Sequence, residues 1–222
     1  DPDGMIVPQL HETAAWLAGM RPDVFRYIMQ VDPEVLLRSD VTKTDVQDRV
    51  ALVDNLLRLY EEGRSFDRWT DPRGYSKLNH PGLAAQLRPF VMGSEKSFVT
   101  RRVAINIAEA CHVRALQDDL VAMALDPAQP ISVRVEAASA VSRIGDGVTK
   151  AKLKPLAAGQ PDDDPDDELK GFALRALWPG QLTADEFFKF ITPPKRTNFL
   201  GAYQGFLLEE RNADFQPEDL PR

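Results

Sequence analysis

Cysteine and histidine are scarce in this chain, with one Cys (Cys111) and three His among 222 residues. A single thiol excludes an intramolecular disulfide and fits a reducing compartment. His11, His80 and His112 are far apart and lack local metal-ligand partners. His11-Glu12 opens like a zinc-protease motif, but Ala15 stands where the second imidazole of one helical face belongs. No apolar run of about 18 residues occurs, so no membrane crossing is expected. The stretch Asp1-Pro2-Asp3-Gly4-Met5 has neither the basic nor the apolar region of a secretory signal, and a cytoplasmic location is expected. Gly-x-x-x-x-Gly-Lys-Ser/Thr is absent. Its nearest candidate, Gly145-Asp146-Gly147-Val148-Thr149-Lys150, lacks the spacing and ending that cradle phosphates. There is no Gly-x-Ser-x-Gly elbow and no carboxylate pair with a glycosidase-like setting. No catalytic residue, cofactor-binding residue or metal ligand is nominated, and a non-enzymatic role is expected.

What is present is an acidic, core-forming chain. The net charge of −7 repels phosphate backbones, so no direct nucleic-acid contact is expected. Seventeen prolines are many for a helical protein. Asp32-Pro33, Asp126-Pro127 and Asp164-Pro165 each read as an N-cap followed by proline at the first helical position. Many helix starts imply many short helices.

Residues 9–30 read as two helices broken at Gly19 and Pro22, with Leu10, Ala14, Leu17 and then Val24, Phe25, Ile28 at helical spacing. Residues 45–62 read as one helix. Thr44 and Gln47 suggest a capping box, Val46, Val50, Val53, Leu57 and Tyr60 form the apolar stripe, and Gly63 is the stop. The Gly-, Pro- and Asp-rich stretch 63–81 reads as a loop, giving a helical N-terminal region over 1–79 and a repeat region over 80–222.

The repeat is visible in three segments. Thr100–Ala108, Val133–Val141 and Leu169–Leu177 align so that Arg101, Arg134 and Lys170 coincide, as do Ala104, Ala137 and Ala173. The spacings between the basic positions are 33 and 36 residues. Each segment precedes a second apolar helix, at 115–125, 149–157 and 183–191, the last capped by Thr183 and Glu186. The alanines suit close helix approach. The basic residues are expected to pair with acidic groups of inter-repeat loops, such as Asp126 and Asp146.

The phrase Val133-Arg134-x-x-Ala137-Ala138-x-Ala140-Val141-x-x-Ile144-Gly145-Asp146 resembles HEAT repeats, including the short variety first noted in phycobilin lyases. This resemblance implies an all-α superhelix, a HEAT/armadillo-like solenoid, with an irregular helical N-terminal part. A broader resemblance lies in His11-Glu12, Asp32–Asp40, Lys77-Leu78-x-His80-Pro81-Gly82-Leu83, Asp167–Pro179 and Thr192-Pro193-Pro194-Lys195-Arg196-x-Asn198-Phe199-x-Gly201-Ala202-Tyr203. It is similar to the helical region that follows the nucleotide-binding module in large bacterial NACHT-type STAND NTPases. That implies a regulatory or sensor-linking segment of a defence or signalling ATPase, with a protein or other domains of a parent chain as partner. The rival expectations are an inert structural spacer and a HEAT-like lyase-type enzyme.

Trp69, Arg102, Arg175, Lys195 and Arg196 are the candidate partner-binding residues. Trp69 lies in a polar loop, where an aromatic is a natural contact. Asp162–Glu168 is an acidic run without the turn glycine or alternating ligands of a calcium loop, and reads as a solvated loop before a helix start. Lys150, Lys152 and Lys154 are expected to fan over a solvent face. Cys111, at the end of a stripe with Val103 and Ile107, reads as a buried, unreactive thiol.

Overall fold

The computed structural model describes residues 5–64, 72–159 and 164–209, and among these there are helices and turns but no strand. The chain divides into two compact units, Asp1–Val113 and Arg114–Arg222.

The first unit contains α1 (His11–Met20), α2 (Pro22–Val31), α3 (Pro33–Leu36), α4 (Val46–Glu61), α5 (Pro72–Ser76), α6 (Leu83–Met92) and α7 (Phe98–Ala110). Pro22 and Pro33 sit at the first helical positions of α2 and α3, where a missing N–H costs nothing. Asp32, before Pro33, does not cap α3; its carboxylate accepts from the Ile6 N–H at 3.2 Å. Helix α4 packs against α2, α3 and α7. It buries Val53, Leu57 and Tyr60 of the expected stripe together with Leu52, Leu56 and Leu59, and leaves Val46 of its first turn exposed. Each fully buried leucine contributes about 2 kcal/mol. Its N-cap is Asp45, which accepts from the Asp48 N–H at 2.9 Å, while Thr44 turns its hydroxyl back to the Val41 carbonyl at 2.8 Å. The stretch expected to be a loop contains α5, which packs against α7.

In α1 the expected stripe is not the core face. Ala15 and Ala18 are buried, whereas Leu10 and Leu17 are exposed. The helix carries apolar residues around most of its circumference, so periodicity does not select a face. Alanines suit the side that meets α2 and α3 closely. Gly19 lies inside α1, and the break falls at Arg21.

The second unit contains α8 (Gln117–Leu125), α9 (Ile131–Ile144), α10 (Gly147–Ala151), α11 (Lys154–Ala157), α12 (Glu168–Leu177), α13 (Ala184–Phe190) and α14 (Ala202–Glu209). Helix α9 packs on α8 and α12, and α12 on α11 and α14. Thr183 and Glu186 form the capping box of α13. Asp126-Pro127 starts no helix. Asp126 instead accepts from the Ala128 N–H at 2.9 Å in a turn, and α9 begins after Pro130. The expected helix over 149–157 is split into α10 and α11 at Lys152 and Leu153.

One local device recurs within each unit. The Arg101 guanidinium, near the start of α7, donates to the Val91 carbonyl at 3.3 Å, one residue before the end of α6. The Arg134 Nε, near the start of α9, donates to the Ala124 carbonyl at 3.0 Å, one residue before the end of α8. The last carbonyls of a helix have no intrahelical partner, and a cation also suits the negative end of the helix dipole. Asp126 accepts within its own turn and is held below its ordinary pKa first by those hydrogen bonds and in part by the charge of Arg134, while Asp146 caps α10 and accepts from Gln117 at 2.8 Å. Ala104, Ala137 and Ala173 are all fully buried.

Candidate functional site

The described part of the acidic run, residues 164–168, and the basic pair Lys195-Arg196 meet in space. Asp164 and Asp167 are buried. Asp164 accepts from the Lys170 N–H at 3.0 Å and so caps the first turn of α12. Asp167, whose left-handed backbone (φ 55°) is tolerated by Asp, accepts from the Lys195 N–H at 2.7 Å. Lys195 Nζ donates to the Asp164 carbonyl at 2.8 Å. Arg196 pairs with Asp166 at 2.7 Å and lies 5.4 Å from the Phe199 ring centre. The described part of the run is thus a clasp on residues 195–196 and not a free solvated loop.

The clasp continues into α14. Lys170, aligned with Arg101 and Arg134, donates instead to the Thr192 hydroxyl at 2.5 Å, with its ammonium 4.5 Å from the Tyr203 ring centre. The Tyr203 hydroxyl donates to the Thr192 carbonyl at 2.6 Å and accepts from the Thr192 N–H at 2.9 Å. Glu168 accepts from the Ala202 N–H at 2.5 Å. A Cβ on Gly171 would overlap the backbone of Ala202 and Tyr203, and one on Gly201 would overlap the Glu168 carboxylate. These two glycines let α14 lie against α12 at backbone distance. Burial pushes the Asp164 and Glu168 carboxyls above their usual range and the Lys170 ammonium below its own, against the hydrogen bonds and charges that favour ionised carboxylates.

The remaining nominated residues are dispersed. Arg102 lies half-buried over Phe98, 5.4 Å from its ring centre. Arg175 pairs with Glu209 at 2.8 Å. Trp69 lies outside the described residues. Lys152 and Lys154 pair with Asp118 and Glu186 at 2.6 and 2.5 Å, so they do not simply fan into solvent.

Cys111 is buried, its thiol donates to the Tyr75 carbonyl at 3.1 Å, and burial pushes its pKa up to about 12. His80 is buried and its Nε2 meets Gln86 Oε1 at 2.8 Å, while His11 Nε2 meets the Ile6 carbonyl at 2.9 Å. Among the described residues no group of three or more His, Cys, Asp and Glu is placed to hold a metal ion, and no helix is long and apolar enough to cross a membrane.

The first unit carries a cleft of about 710 Å³ that the sequence does not reveal. Its apolar lining comes from Ala15, Trp16, Met20, Pro22 and Phe25 of α1 and α2. Trp16 is 64% exposed and Met20 54%. The polar lining runs from Arg38 to Asp48, and Arg38 bridges to Glu12 of α1 at 2.5 Å. The signal available was the pair Trp16 and Met20, one turn apart on a helix, but the stripe Leu10, Ala14, Leu17 competes with it.

No protein-family model, curated protein or solved structure matches this chain. The class that fold and cleft define is that of an all-α protein with an exposed aromatic surface.

Proposed function

We propose that this chain is a non-catalytic protein-interaction module of stacked, HEAT-like helix pairs, serving as a regulatory or sensor-linking segment of a larger NACHT-type NTPase. The observation that carries the interaction role is the cleft of the first unit, where Trp16 and Met20 stand exposed beside a polar wall. Large aromatic and thioether side chains left in water are costly and are typical anchors of protein interfaces. The repeated character of the helix pairs is supported by the shared device of Arg101 on Val91 and Arg134 on Ala124, by which α7 closes the end of α6 and α9 closes the end of α8. The test is quantitative recovery of partners on the parent chain with and without Trp16→Glu and Met20→Glu. Specific loss of one partner from the variant supports an interface here, and an unchanged set of partners refutes it.

A structural spacer is the second reading, favoured for the second unit by one observation. Arg175, Lys195 and Arg196 spend their charges on Glu209, Asp167 and Asp166 of the same unit. Under that reading, substitutions at Arg102 or Arg175 leave the parent's activity intact, and several strong losses there would eliminate it.

A further inference from the structure

We infer that the strap over residues 192–201 and helix α14 form a latch, which opens as one body while α12 stays folded and so governs access to the face of α12 and α13 beneath it. The bonds inside this segment differ in kind from the bonds that hold it down. Two internal braces tie the strap to α14. The Tyr203 hydroxyl accepts from the Thr192 N–H at 2.9 Å and donates to the Thr192 carbonyl at 2.6 Å. Gln204 Nε2 donates to the Arg196 carbonyl at 2.7 Å. No backbone–backbone hydrogen bond joins residues 192–200 to α12, α13 or α14.

The polar ties that hold the segment to residues 164–175 each include an ionised group. The Lys195 N–H goes to the Asp167 carboxylate and its ammonium to the Asp164 carbonyl, at 2.7 and 2.8 Å. Arg196 pairs with Asp166 at 2.7 Å and Glu209 with Arg175 at 2.8 Å. The Glu168 carboxylate accepts from the Ala202 N–H, and the Lys170 ammonium donates to the Thr192 hydroxyl, both at 2.5 Å. Charges released from such ties regain their hydration, which offsets much of the lost attraction. The apolar hold is narrow. In α14 the buried residues are Ala202, Tyr203 and Phe206, with the Phe206 ring centre 6.1 Å from that of Phe187 in α13. Helix α12 by contrast buries Leu169, Ala173, Leu174, Ala176 and Leu177. The segment therefore opens at lower cost than α12 unfolds, and opening uncovers Gly171 and Phe187, on which α14 rests.

The test is native-state amide exchange of the full chain, read residue by residue by NMR at low and high salt. A helix of α14's length is not stable alone, so its amides exchange once it detaches. The Lys195 and Ala202 amides and those of Phe206–Glu209 are expected to share one opening free energy, below that of Ala173–Leu177. High salt is expected to speed the first group and leave the second unchanged. In Asp166→Asn/Asp167→Asn the first group is expected to exchange about tenfold faster, again without change in Ala173–Leu177. Asparagine keeps the size of aspartate and tolerates the left-handed backbone at position 167, and circular dichroism checks that the variant is folded. Tyr203→Phe removes a brace but keeps the ring, and is expected to speed Lys195 more than Phe206–Glu209. Exchange of Phe206–Glu209 in step with Ala173–Leu177 in the wild type overturns the latch, because α14 then leaves only on unfolding of α12. A response of Lys195 to salt and to Asp166→Asn/Asp167→Asn with α14 unmoved overturns it equally, because the strap then frays by itself.

Discussion

Arg134 lies fully buried with its Nε–H on the Ala124 carbonyl at 3.0 Å, so a charged side chain from the start of one helix closes the end of the helix before it. Lysine has one compact ammonium in place of the planar fork, and methionine has only the apolar stem. The expected order of stability is wild type, then Arg134→Lys, then Arg134→Met. The last is expected to lose about 2–3 kcal/mol, because the Ala124 carbonyl is left buried without this donor. Urea unfolding followed by circular dichroism reads the difference. A methionine variant as stable as wild type would show that the guanidinium serves no capping role.

Gly171 and Gly19 are both helical glycines with opposite expected responses. A methyl group at Gly171 meets the backbone of Ala202 and Tyr203, which cannot rotate away. Gly171→Ala is expected to destabilise by about 2 kcal/mol or more and to loosen α14. At Gly19 nothing stands within 4 Å of an added Cβ. Gly19→Ala is expected to be neutral or to stabilise by up to about 1 kcal/mol through helix propensity. Thermal unfolding of the two variants side by side decides; equal melting temperatures contradict the close seating of α14.

Acid affects two sets of carboxylates in opposite directions. Burial raises the folded pKa of Asp164 and Glu168. Their contribution to stability is fully present below the unfolded values, about 3.9 and 4.3, and is lost as pH rises through the raised folded values. Asp164→Asn and Glu168→Gln are therefore expected to flatten the fall in stability over that rise. Asp146 is held below its ordinary value first by the Thr149 N–H and then by Gln117. Its contribution is present above about 3.9 and lost as pH falls through the lowered folded value, so Asp146→Asn is expected to flatten the acid limb. Urea midpoints taken across pH test both signs. A steeper loss with rising pH in Asp164→Asn would contradict the first.

Cys111, buried against the Tyr75 carbonyl with its pKa pushed up to about 12, is expected to resist disulfide reagents at neutral pH. Its modification rate in denaturant should follow unfolding, with a sharp rise at the transition. Rapid labelling of the native chain would show that the α5–α7 contact opens locally.

The legible parts of this protein are those whose cause lies within a few residues. Thr183 with Glu186 caps α13 as expected, and Cys111 is buried at the end of α7. Helix type is legible for the same reason, since 3.6-residue periodicity and capping chemistry are local. Even so, adjacent cap-competent residues leave an ambiguity of one position, and Asp45 replaces Thr44 at the start of α4.

Partners distant in sequence were decided only by tertiary structure. Which face of α1 turns inward depends on what α2 and α3 present to it, because the helix is apolar on most sides. The alignment of Arg101, Arg134 and Lys170 is plain in the sequence, but their acceptors are not: two reach helix-end carbonyls and the third reaches Thr192. The acidic run resembles a solvated loop until Lys195 and Arg196, about thirty positions on, are brought against it. Local backbone preference is written in neighbouring residues. A side chain's environment, and with it the choice between surface, clasp and cleft, is set by whatever the folded chain places opposite it.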